Sequence, residues 1–158
     1  MSRKRRRGRR VDATGRSIGD EQFIGLGYAT VRSPAWRSLS GAAVKVWCEL
    51  RSRYNGGNNG KLSLSLDEGA RLLALSKSTV RRALEELAAK GFIVLMRRGR
   101  WFGRMASEWR VTDRSCNGYP ASYDWKRWQP GFDLRPPRPN PENEADEALA
   151  EMHDDSKP

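Results

Sequence analysis

Apolar residues recur along this chain with two periods, and the alternation between them outlines a fold. In "SLSGAAVKVWCELRSRY", Leu39, Ala43, Val46, Trp47, Leu50 and Tyr54 fall at helical spacing behind Ser38 or Ser40, which predicts a first helix. "NGGNNG" at 55–60 holds only glycine and asparagine and predicts a loop. "KLSLS" then alternates like a short strand, and Ser65 with Glu68 forms a capping-box pattern that opens a second helix through Leu75. In "LSKSTVRRALEELAAKGFI", Ser76 can cap a third helix from Lys77 to Lys90. Its stripe at Val80, Ala83, Leu84 and Leu87 follows i, i+3, i+4, i+7, and Gly91 supplies a left-handed stop. "FIVLMRRGRWFGRMASEWRVT" reads as a strand, a basic tip and a returning strand with Trp109 and Val111 on one face. Upstream, "FIGLGYATV" reads as a short strand or an extended lead-in.

Two short helices joined this tightly, the second amphipathic and basic at its start, form a helix-turn-helix, and the hairpin after them is a wing. The predicted fold class is α+β: three helices plus a β-hairpin wing.

The ends have a different composition. Residues 1–21 hold almost nothing to bury and read as a disordered basic arm; residues 136–158 turn to proline and then to acid and read as a disordered tail. Residues 22–115 hold the folding pattern. Between domain and tail, residues 116–135 are rich in Tyr and Trp without a period. Here Tyr123, Trp125, Trp128 and Phe132 read either as a strap enlarging a small core or as a patch for a second copy or another partner.

Charge narrows the choice of partners. Residues 1–21 carry eight basic and three acidic groups, residues 22–135 carry 20 and nine, and residues 136–158 carry two and seven. The central domain is basic in its own right, which points to a polyanion. Cys48 and Cys116 are too few and too far apart for a disulfide framework or a CxxC metal site and read as reduced intracellular thiols. No apolar run approaches a membrane span, and the basic start lacks a signal-peptide apolar core. A cytoplasmic, nucleoid-associated protein without a membrane partner is expected.

With these residues in view, "LSLSLDEGARLLALSKSTVRRALEELAAKGFIVLMRRG" followed by "SEWRVT" resembles the winged helix-turn-helix of bacterial DNA-binding regulators. "SPAWRSLSGAAVKVWCELRSRYNGGNNGKLSLS" resembles the lead-in of helix-turn-helix proteins carried by proteobacterial mobile elements and related to replication-initiator domains. The resemblance implies double-stranded DNA as partner, Lys77 to Arg82 as the recognition segment and the turn after Met96 as the wing.

The residues there have suitable chemistry. A helix N-terminus and the hydroxyls of Ser76, Ser78 and Thr79 suit phosphate oxygens, while Lys77, Arg81 and Arg82 can reach guanine edges in a major groove. At the wing, Arg97, Arg98, Arg100 and Arg104 surround Trp101 and Phe102 and suit backbone or minor-groove contact. Arg5, Arg6 and Arg7, within the Arg3–Arg10 run, suit phosphate tracking that adds affinity more than specificity.

No catalytic group stands out. His153, the single histidine, lies in the acidic tail, and neither "GLG" nor "NGGNNG" has the lysine of a phosphate loop. A non-enzymatic protein without cofactor or metal is expected, acting as a transcriptional regulator or mobile-element accessory factor. Self-association would run through the first helix or the aromatic segment. The rival readings are a replication initiator, an RNA- or ribosome-associated basic protein, and a protein-interaction module.

Overall fold

Three serine hydroxyls start the three longer helices of the computed structural model, which describes residues 23–100 and 105–135. Helix α3, Gly41–Ser52, begins where Ser40 Oγ accepts from the Ala43 N–H at 3.2 Å. Helix α4, Leu66–Leu73, begins where Ser65 Oγ accepts from the Glu68 N–H at 3.1 Å. Helix α5, Lys77–Ala89, begins where Ser76 Oγ accepts from the Thr79 N–H, also at 3.1 Å. Each hydroxyl satisfies one N–H that the helix cannot bond internally. Two boundaries differ from the sequence reading: α4 stops at Leu73 rather than Leu75, and α5 at Ala89 rather than Lys90.

The lead-in is the main correction. Phe23–Gly27 has no regular structure, but Tyr28–Arg32 forms a short helix, α1, and Pro34–Arg37 forms another, α2. The described residues therefore hold five α-helices rather than three. Pro34 sits at the first turn of α2, where its missing N–H costs nothing. Ser33 joins the two helices: its hydroxyl donates to the Thr30 carbonyl at 2.7 Å and accepts from the Trp36 N–H at 3.1 Å. Helices of four and five residues are too short to show a 3.6-residue period, so the pattern left them invisible.

Three antiparallel strands complete the domain in the order β1-β3-β2, with β1 at Leu62–Ser63, β2 at Ile93–Arg97 and β3 at Glu108–Val111. Leu62 pairs with Trp109, and Ile93 pairs with Val111. Leu62, Ile93, Trp109 and Val111 are all buried on the face toward the helices. The loop before β1 contributes an unexpected core residue. Asn59 is buried, its amide donating to the Val111 carbonyl at 2.9 Å and its side-chain oxygen accepting from the Val111 N–H at 2.8 Å. It occupies the place of a strand neighbour and satisfies both backbone groups of Val111.

An aromatic ladder binds both ends of the domain to its middle. Trp36 of α2 meets Trp47 of α3 edge-on at 5.1 Å and Phe92 at 5.6 Å, and Phe92 stacks on Trp125 at 6.1 Å. Trp125 lies in a 3-10 turn, Asp124–Arg127, and is buried. Trp128 packs against the same core, under the Lys90 ammonium at 5.4 Å. Of the aromatics expected to enlarge the core, Phe132 does not, because it remains 65% exposed, and Tyr123 is also exposed, meeting Trp125 edge-on at 6.2 Å from outside the core. The segment closes on α5 through the Leu134 N–H to the Ala89 carbonyl, 2.8 Å. Gly91 must be glycine twice over. Its φ is +76°, and a Cβ there would lie 2.8 Å from the Trp125 backbone nitrogen.

Candidate nucleic-acid interface

The connection between α4 and α5 is the three residues Ala74, Leu75 and Ser76. Ala74 takes the left-handed conformation, φ 52° and ψ 50°, and the Leu75 N–H bonds back to the Ala70 carbonyl at 3.1 Å. That left-handed residue turns the chain sharply enough for α5 to start at once. The crossing of the two helices is set by Gly69, where a Cβ would stand 2.9 Å from Val80 Cγ1. A glycine in the middle of a helix is unfavourable unless close approach requires it. Gly69 was the one available signal of this contact in the sequence.

Val80, Ala83, Leu84 and Leu87 of α5 are buried, as the stripe predicts. The opposite face at its start is exposed and carries Lys77, Ser78, Arg81 and Arg82. Arg81 and Arg82 make no hydrogen bond or ion pair with any described residue, and Arg71 on α4 is likewise exposed. The other predicted contacts are already engaged. Lys77 forms an ion pair with Asp67 of α4, and Ser76 Oγ, besides capping, lies 2.9 Å from Ser78 Oγ and 2.7 Å from Thr79 Oγ1. The hydroxyls form one cluster over the helix N-terminus, the positive end of its dipole.

Two polar hubs hold this pair of helices in place, and neither was anticipated. Arg53, at the end of α3, bonds Glu49 at 2.7 Å, Glu68 at 2.9 Å and the Ser63 carbonyl at 2.8 Å, so it ties α3, β1 and the start of α4 together. Its hydrogen bond holds the Glu68 carboxyl below its ordinary pKa. At the other end of α5, Glu86 accepts from the Ser40 N–H and hydroxyl while Lys90 donates to Glu86 at 2.8 Å and to the Ser38 carbonyl at 2.7 Å. Burial alone would raise the Glu86 pKa, but the bonds from Lys90 and Ser40 outweigh it and bring it below the usual carboxylate value.

In the wing, β2 and β3 are paired up to Arg97 and Glu108, with a bulge between Leu95 and Arg97. The bulge sets Arg97 opposite Glu108, and their side chains bond at 2.7 Å. Beyond it the Gly99 N–H donates to Ser107 Oγ at 3.0 Å, and Arg100 bridges to Met105. Arg97, Arg98, Gly99, Arg100 and Met105 line a cleft of about 650 Å³. Arg98 and Arg100 are exposed and line the same cleft. Arg104, Trp101 and Phe102, the arm with Arg5, Arg6 and Arg7, and the acidic tail all lie outside the described residues.

Among the described residues no group of His, Cys, Asp and Glu is placed to hold a metal ion, and no helix is long and apolar enough to cross a membrane. The mixed fold and the basic start of α5 suit a polyanion better than a small substrate. No curated protein and no solved structure gives a significant match to the chain. A family model described as a helix-turn-helix domain matches residues 37–93, from the last residue of α2 to the first of β2, so this part of the chain is a helix-turn-helix domain and DNA is the partner it suggests.

Proposed function

We propose that the chain binds duplex DNA with α5 in the major groove and the wing on the adjacent backbone, as a transcriptional regulator or accessory factor of a bacterial mobile element. The observation that carries the binding mode is the division of α5. One stripe is buried in the core, while Arg81 and Arg82 project unpaired from the first two turns of a helix whose partner, α4, is locked by Arg53. Unpaired guanidinium groups on a fixed helix suit bidentate contacts to guanine O6 and N7. Ser78 and Thr79 lie at the helix N-terminus and suit a phosphate. Arg98 and Arg100 of the wing, with Arg104 and the arm residues Arg5, Arg6 and Arg7, supply sequence-independent charge. The mobile-element assignment rests on the likeness of the lead-in and first helix alone.

Selection of bound duplexes from a random library by the full chain tests this reading, with single-stranded DNA and structured RNA as competitors. A recurring short motif, resisted by neither competitor at equal concentration, is the expected result. Preference for structured RNA would replace this reading with that of an RNA-associated protein, and enrichment without a motif would remove the regulator role.

A further inference from the structure

The lead-in leaves an apolar surface that the DNA reading does not use. Phe23 is 83% exposed and Tyr28 81%, and Leu26 and Val31 between and beside them are more than a third exposed. Ile24, next to Phe23, forms one wall of an open groove of about 500 Å³ that Val44, Lys45, Cys48, Glu49 and Ser52 of α3 and Leu72 and Leu73 of α4 complete. Leu72 is 47% exposed at its rim. One short segment thus carries a projecting aromatic ring and borders a groove whose apolar lining, Ile24, Val44, Leu72 and Leu73, has a polar rim at Lys45, Glu49 and Ser52.

A face that holds both knob and hole is self-complementary, which a twofold interface requires of each partner. The area agrees. At the 150–250 Å² typical of an aromatic side chain, Phe23 and Tyr28 leave roughly 300 Å² open, and with the four aliphatic residues the patch reaches roughly 600 Å² per copy. Two such patches give about 1,200 Å², the lower edge of specific interfaces. The two ends of the chain are poor covers. Residues 1–22 hold Met1, Val11 and Ile18 as their only large apolar side chains, amid eight Lys and Arg, and residues 136–158 hold only Leu149 and Met152 amid seven carboxylates.

We propose that a second copy of this chain covers this face, with Phe23 of each copy entering the α3–α4 groove of the other. Of the two expected routes of self-association, the predicted first helix, α3, supplies Val44 and Cys48 to this groove, and the aromatic C-terminal segment, whose Trp125 is already buried, gives way to the lead-in. An interface of this size lies at the weak end of specific association, so the dimer should be concentration-dependent.

Sedimentation of the full chain over a concentration series, without DNA, tests the proposal separately from the DNA reading. A dimer is expected, and both Phe23→Asp and Leu72→Glu should raise its dissociation constant at least about tenfold, since each change takes a carboxylate out of water at the contact. Phe23 is exposed enough that its variant should keep the parent's circular dichroism and melting, so loss of the dimer is not loss of the fold. In a Cys116→Ser background, thiol labelling of Cys48 should slow as the dimer forms. A chain that stays monomeric well above micromolar concentration overturns the proposal. So does a dimer that both variants leave unchanged, because the copies would then meet through another face.

Discussion

Glu86 accepts from the backbone N–H of Ser40 at 3.0 Å and from its hydroxyl at 2.6 Å, although the two residues are 46 positions apart. The Glu86 carboxylate of α5 is thus a second cap on α3. Glu68 plays the corresponding part for α4 through Arg53.

Acid should therefore loosen the domain. Both carboxyls titrate below their ordinary values in the folded protein. The stability they contribute is complete above the unfolded carboxylate pKa, about 4.3, and is lost as pH falls through the lower folded values. Melting temperature measured from pH 7 downward should hold steady and then drop below about pH 5. Glu86→Gln should lower the plateau and make the drop shallower.

Gly69→Ala should cost about 1–3 kcal/mol, because the new methyl group would sit against Val80 in a packed crossing. Denaturant titration of Gly69→Ala, Val80→Ala and the double variant checks the cause. If the clash is the source, the double variant should lose less than the sum of the singles, with a coupling of about 0.5–3 kcal/mol.

At Ala74 the opposite sign is expected. A non-glycine residue in the left-handed region costs about 1–2 kcal/mol, and glycine avoids this at an entropy cost of about 0.5–1 kcal/mol. Ala74→Gly should raise stability by roughly 0.5–1 kcal/mol. Unchanged α4 and α5 amide signals would show that the turn keeps its shape.

Arg81→Ala or Arg82→Ala should lower affinity for a selected duplex by about 1–3 kcal/mol and relax preference at one base position. Lys77→Ala should instead weaken binding to all sequences and flatten the log–log salt dependence by up to about 0.9. Because Lys77 must leave Asp67 to reach a phosphate, Asp67→Asn should strengthen nonspecific binding at low salt. Filter or fluorescence titration on selected and random duplexes separates these outcomes. Equal losses on both for Arg81 and Arg82 would reassign them to the backbone.

Leu84→Ala and Leu87→Ala should each cost about 2–5 kcal/mol as truncations of the core stripe. Thermal unfolding measures the loss, which is comparable to the whole stability of many small domains.

Much of this domain is written locally. The stripe of α5, the serines that open α3, α4 and α5, the glycine stop at Gly91 and the basic start of the third helix are relations between residues a few positions apart. Backbone sterics and hydrogen bonding act on them before any tertiary contact exists. Their chemistry also named the candidate interface, because charge and amphipathic spacing are properties of the sequence. What the sequence left open depends on which distant groups meet. Lys77 and Arg97 look as free as Arg81 and Arg82 in the chain, yet packing sets them against Asp67 and Glu108. Asn59 looks like loop, yet the strand beside it gives its amide a place in the core. The four- and five-residue helices of the lead-in have no period to display, and they hold because Trp36 packs against Trp47 and Phe92. Only the folded domain brings those rings together, since loop closure over tens of residues is repaid by burial and not by any local preference.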